Sequence, residues 1–175
     1  MMRTIKIYDR SDLLEISFED VKKYHGYAAY MALGVAFRVV ETAFEELYGE
    51  EIPNRKDISI LSGHGGPGFR DVFEFVTRAK TRGVYTVDVN YPVAQYDPHR
   101  AQSYAYVFSK ENGESVEVSL KDNFLPPVFY DYLKMGREES FTEESYAACQ
   151  KLIRELGDRA YNMSRDELLN VKRIK

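Results

Sequence analysis

Apolar residues at Ala28, Ala32, Val35, Val39, Ala43 and Leu47 recur every three or four positions, the spacing of one buried helix face. The pattern predicts a long helix that closes at Gly49, with Pro53 and Asn54 beyond it. Upstream, Ser17 followed by Asp20 predicts a capped helix opening at Phe18, running to Tyr24 and breaking at Gly26. The two runs read as one helix interrupted at His25-Gly26. Residues 4–8 predict a short strand, followed by turn chemistry in Asp9-Arg10-Ser11-Asp12.

After Pro53 the period changes. Residues 57–61 predict a buried strand, residues 69–78 a helix with Val72, Phe73 and Val76 on its apolar side, and residues 84–89 a second strand. A loop containing Pro92 and Pro98 leads to strands at 104–109 and 115–120, with Asn112-Gly113 as the hairpin turn. Pro126-Pro127 marks a boundary. Thr142 caps a helix reaching Ala160, with Tyr146, Cys149, Ile153 and Leu156 on one side, and Ser164 to Glu167 is a capping box for a last short helix. The order predicts an α+β fold: a long interrupted N-terminal helix packed on a small mixed or antiparallel sheet, with a helical C-terminal tail. Residues 1–123 are expected to form the α+β domain, and residues 124–175 a helical extension packed on it.

Composition narrows the function classes. A chain of 175 residues with 44% hydrophobic content supports one core, and a net charge of -4 with interspersed signs argues against nucleic acid. Arg78, Lys80 and Arg82 form a small basic cluster, read as a solvated helix end or, alternatively, an anion clamp. The single cysteine, Cys149, excludes an intramolecular disulfide and a cysteine zinc ribbon, and its apolar spacing makes it a core residue. The N-terminal residues lack the apolar run of a signal peptide, and no stretch approaches the ~20 apolar residues of a membrane span. The expectation is a cytoplasmic protein away from membranes.

Candidate chemistry gathers at two chain breaks. His25 sits where Gly26 interrupts the helix, and His64 sits in Gly63-His64-Gly65-Gly66-Pro67-Gly68 ahead of a helix whose first turn holds Asp71. Two imidazoles and a carboxylate suit a divalent transition metal, although their spacing on separate elements specifies no geometry. The glycine-rich turn lacks the Lys-Ser or Lys-Thr of a P-loop and the spacing of a dinucleotide fingerprint, and it reads as the most flexible stretch of the chain. Fourteen tyrosines, with Tyr24, Tyr27 and Tyr30 around the break, serve either core packing or the wall of a pocket or dimer surface. Ala28, Ala29, Ala32 and Gly34 would admit another backbone or a second copy of the chain at close range, and a homodimer is expected.

The stretch from His25-Gly26-Tyr27-Ala28-Ala29 to Gly34, followed by Gly68-Phe69-Arg70-Asp71-Val72 and residues 77–83, resembles the formylmethanofuran dehydrogenase E-like family. Members carry H-G-H-x-C-P-G before a small-residue-rich helix, then C-x-x-D-A, a helix and a T-G-x-T-x-G-K-G-like turn. The resemblance spans about residues 15–121; His25, Gly26 and Asp71 match, whereas Tyr27 stands at the second histidine and Ala29 and Gly68 at the cysteines. It implies a dimeric metal-binding α+β domain, often with zinc, and association with a redox or one-carbon enzyme complex.

The leading expectation is a non-catalytic binding protein. His25 and His64 would be metal ligands and Tyr27, Tyr30 and Asp71 would contact the cofactor, either a divalent metal, zinc first, or haem. A competing reading has His25 and Asp71 perform acid–base catalysis, with or without metal-activated water. A third is a structural component that has lost the ancestral site.

Overall fold

The predicted interruption is where the chain turns. A computed structural model describes residues 2–175. Strands β1 (Thr4–Asp9) and β2 (Asp12–Ser17) form an antiparallel hairpin that delivers the chain to helix α1 (Phe18–His25). Ser17 accepts from the Asp20 amide and Asp20 accepts from the Ser17 amide, so the capping box forms as its residues predict. Gly26 ends α1 with φ of 95°, a left-handed conformation that favours glycine, and α2 (Tyr30–Tyr48) begins four residues later.

The sheet has the order β4-β3-β5-β6-β7, built from β3 (Ile58–Ser62), β4 (Tyr85–Val87), β5 (Ala105–Lys110), β6 (Ser115–Leu120) and β7 (Leu169–Arg173). Only β3 and β4 run parallel, joined through helix α3 (Pro67–Thr77), so the sheet is mixed as expected. Helices α2 and α3 cover one face, where Phe73 meets Tyr106 and Phe108 at ring distances of 5.4 Å and Phe44 meets Phe108 at 6.4 Å. The tail forms α4 (Pro127–Glu138), α5 (Glu143–Asn162) and the short α6 (Arg165–Leu168) before β7 pairs with β6. The chain is α+β.

Two strands have no counterpart among the predicted elements. In β2 only Ile16 is buried, and adjacent Leu13 and Leu14 spoil the alternation that marks a strand. The tail ends in an edge strand with exposed Lys172 and Arg173, the kind of charged edge that discourages further pairing.

Helix α2 is the centre of the packing. It crosses α5 at two glycines: a Cβ on Gly34 would lie 2.7 Å from the Gly157 carbonyl oxygen, and one on Gly157 2.7 Å from the Tyr30 carbonyl oxygen. One turn along, buried Arg38 donates from Nη1 to the carbonyls of Ala160 (2.9 Å), Tyr161 (3.1 Å) and Met163 (2.7 Å), and from Nε to Glu41 (3.0 Å). Its cation thus satisfies the exposed carbonyls at the end of α5 and offsets that helix's negative pole. The small-residue stripe is therefore occupied within the chain, since Gly34 meets α5 and Ala29 and Ala32 meet Gly68 of α3.

Gly157→Ala is expected to lower stability by ~2 kcal/mol or more, because backbone lies in the way of the added methyl. Gly136→Ala, with only Phe141 at 3.5 Å, should instead gain up to ~1 kcal/mol from helix propensity. Urea midpoints at constant m-value compare the two.

Candidate functional site

The break at Gly26 and the N-terminus of α3 face one another. His25, the last residue of α1, places Nδ1 2.7 Å from Asp71 Oδ2 in the first turns of α3, while Arg70 Nε donates to Asp71 Oδ1 at 3.0 Å. Both partners of the pair are largely covered, with side-chain exposures of 11% for His25 and 21% for Asp71. Burial opposes ionisation of Asp71, but the hydrogen bonds from His25 and Arg70 outweigh it and hold the carboxyl below its usual range. With Nδ1 turned to the carboxylate, Nε2 is the ring nitrogen left over, the orientation used for both metal ligation and general-base work.

His64 has a different environment. It lies in the turn between β3 and α3, where Ser62 Oγ donates to the His64 carbonyl (2.8 Å) and accepts from the His64 amide (3.2 Å). The Gly63 amide donates to Ala105 and the Ser103 amide donates to Gly63, pinning the turn's start to β5. The flexible loop expected from the glycines is thus a held turn. Its imidazole folds back so that Nδ1 accepts from the Gly66 amide at 2.9 Å, and a Cβ on Gly66 would meet the ring at 2.7 Å. That bond assigns the proton to Nε2. The ring packs between Phe69 (4.7 Å) and Tyr104 (4.8 Å), and burial, aided by the Arg100 charge, pushes its pKa down to about 3. His64 is a neutral donor at physiological pH.

His64 lines a cavity of about 190 Å³ together with Ala29, Ala32, Gly68, Phe69, Arg100 and side chains from α4 and α5. Gly68 lets α3 approach α2 closely at its wall: a Cβ there would stand 2.9 Å from the Ala29 Cβ and 2.8 Å from the Ala32 Cβ. Gly68 and Asp71 are three residues apart on α3, so the cavity and the His25–Asp71 pair share one helix face. Behind His64, the buried hydroxyls of Tyr104 and Tyr130 have no protein hydrogen-bond partner, and burial raises both well above the usual tyrosine range.

Among the sequence candidates, His25 and Asp71 are brought together, whereas no hydrogen bond links either to His64. Tyr27 and Tyr30 turn to α5. The Tyr30 hydroxyl donates to Asp158 at 3.0 Å, and the Arg154 guanidinium lies 5.5 Å from the Tyr27 ring and 5.4 Å from the Tyr30 ring. Ile153 of the cavity wall belongs to the apolar face predicted for the tail; Arg100 and Leu133 carry no motif and are joined to the site only by folding. Comparison with protein-family models and with curated proteins finds no match.

The donor set tests the two cofactors. A zinc centre takes three or four protein ligands, and among the described residues no three His, Cys, Asp or Glu side chains are grouped to hold a metal. His25 with its carboxylate supplies one ligand, while Ala29 and Gly68, the positions matched to cysteines, bring no donor. Haem does not fit either: 190 Å³ is below even the roughly 300–1,000 Å³ of drug-sized clefts. Among the described residues, no helix is long and apolar enough to cross a membrane.

The buried imidazole makes stability pH-dependent. In the unfolded chain His64 takes up a proton below ~6.5, whereas in the folded chain it does so only near 3. Stability is therefore highest above the unfolded value and falls with pH across that window, by up to ~1.4 kcal/mol per unit. Asp71, also depressed, adds a loss at lower pH that a His64 variant retains. Urea midpoints measured from about pH 7 to 4 should fall more steeply for the wild type than for His64→Phe.

Proposed function

We propose that this chain is a small-ligand-binding protein of the formylmethanofuran dehydrogenase E-like type, in which a compact apolar cavity with one neutral hydrogen-bond donor replaces a metal centre. The observation that carries the reading is His64: a buried, uncharged imidazole whose Nδ1 is committed to Gly66 and whose Nε2 proton has no protein partner among the described residues. Such a group recognises an acceptor atom, and the surrounding Ala29, Ala32, Phe69, Leu133 and Ile153 recognise an apolar body. Contact between Gly68 and Ala29 supports the resemblance as a matter of fold, because two positions that the family gives to cysteines come to one place. It also supports the loss of the family's chemistry, since neither residue has a donor side chain.

The test uses acetophenone, an aromatic ring with a carbonyl acceptor, and ethylbenzene, its counterpart without one. Acetophenone should raise the melting temperature and ethylbenzene less so; His64→Phe should weaken acetophenone about tenfold and bring the two ligands level. Equal binding of both by the wild type, or no effect of His64→Phe, refutes the role of the imidazole.

A second reading is favoured by the 2.7 Å contact of His25 with Asp71: acid–base catalysis in which Asp71 orients the ring and Nε2 takes the proton. It predicts hydrolysis of activated esters that His25→Ala abolishes and Asp71→Asn reduces by ~10²-fold or more. Turnover that survives in His25→Ala excludes it.

A further inference from the structure

A groove lies at the opposite end of α3. The turn of the N-terminal hairpin brings Asp9 and Arg10, the segment before β3 brings Asn54, Arg55 and Lys56, and the α3–β4 connection brings Arg78, Thr81 and Arg82 around one groove of about 660 Å³. Five cationic side chains and one carboxylate line it, in a chain whose net charge is -4. Arg78 and Arg82 of the basic cluster noted in the sequence are thus joined, through folding, by three cations from two distant segments.

Two of these arginines are fixed by structure. Arg55 donates from Nε to the Val76 carbonyl and from Nη2 to that of Phe75, both at 2.9 Å, and Arg82 donates from Nη2 to the carbonyls of Ile58 (2.6 Å) and Thr77 (3.2 Å). Both close the C-terminus of α3, which holds them in place while leaving other guanidinium edges free. Burial lowers the pKa of each; for Arg55 the Asp9 and Glu74 charges work against that and the Arg78 and Arg82 charges add to it, and for Arg82 Glu74 works against it. Two ion pairs without hydrogen-bond contact remain, Asp9 with Arg55 at 3.8 Å and Glu74 with Arg78 at 3.9 Å, while Arg10, Lys56 and Arg82 have no carboxylate within that range among the described residues.

The backbone makes a separate argument. Arg10 and Arg78 have φ of 57° and 59°, the left-handed region that glycine or asparagine occupies at less cost. Ala94 and Glu139 share that conformation, so what distinguishes Arg10 and Arg78 is that both line the groove with a long cationic side chain.

We infer that this groove binds a compact polyanion bearing two or more phosphoryl or carboxyl groups, held by Arg10, Arg55, Lys56, Arg78 and Arg82. Planar guanidinium forks suit either oxyanion, and the absence of an aromatic side chain from the lining argues against stacked nucleic-acid bases. The site is independent of the His64 cavity, so either can fail without the other.

Isothermal titration with pyrophosphate and with citrate separates the two anion chemistries. The double variant Arg10→Asn, Arg78→Asn keeps left-handed-tolerant residues and spares the two arginines that close α3. The inference predicts saturable binding of at least one probe, weakened tenfold or more in the double variant and by added salt, and unchanged in Lys121→Ala outside the groove. No binding of either probe at millimolar concentration overturns it, as does equal affinity in the wild type and the double variant. Tighter binding of a single-stranded oligonucleotide than of pyrophosphate overturns the assignment to a small anion.

Discussion

The close approach of Gly34 on α2 to Gly157 on α5 sets the position of everything around the candidate site. Ordinary side chains hold helices 8–10 Å apart, and a glycine on each lets the backbones come closer. Arg38 then locks the crossing by satisfying three carbonyls at the far end of α5. With α2 held on one side by α5 and on another by the sheet, its N-terminus has one place to go, against Gly68 of α3. The cavity is what remains between these elements and the turn that carries His64.

The two histidines illustrate how surroundings divide one chemistry into two. His25 faces a carboxylate near the surface, and its ring is oriented by charge. His64 faces aromatic rings and a backbone amide, and its ring is neutralised by burial. Had both been turned to one point, a metal would have been the natural occupant. Their separation, with alanine and glycine at the intervening contact, favours recognition of an uncharged acceptor on an apolar body.

The parts legible in the sequence are those with local causes. The capping boxes at Ser17 and Thr142, the break at Gly26 and the hairpin at Asn112-Gly113 follow from residues within a few positions of one another. Strand β7 was not legible, because its place is assigned by β6, some fifty residues earlier in the chain. In the site, the pairing of His25 with Asp71 was foreseeable as ingredients, whereas the cavity was not. It depends on Arg100, Leu133 and Ile153, which meet His64 only after α4 and α5 fold back. The tyrosines around the break were open to two readings, packing or a ligand wall; Tyr27 and Tyr30 present flat faces to Arg154, a contact that composition alone does not specify.

The central claim is that His64 is a neutral donor aimed at a ligand, and long-range proton–nitrogen NMR of the histidine rings tests it directly. At about pH 5, where a free imidazole is protonated, His64 should show a bare Nδ1 and a protonated Nε2, with the Nε2 signal moving when acetophenone is added. A doubly protonated ring at that pH, or an Nε2 signal indifferent to the ligand, would contradict the account.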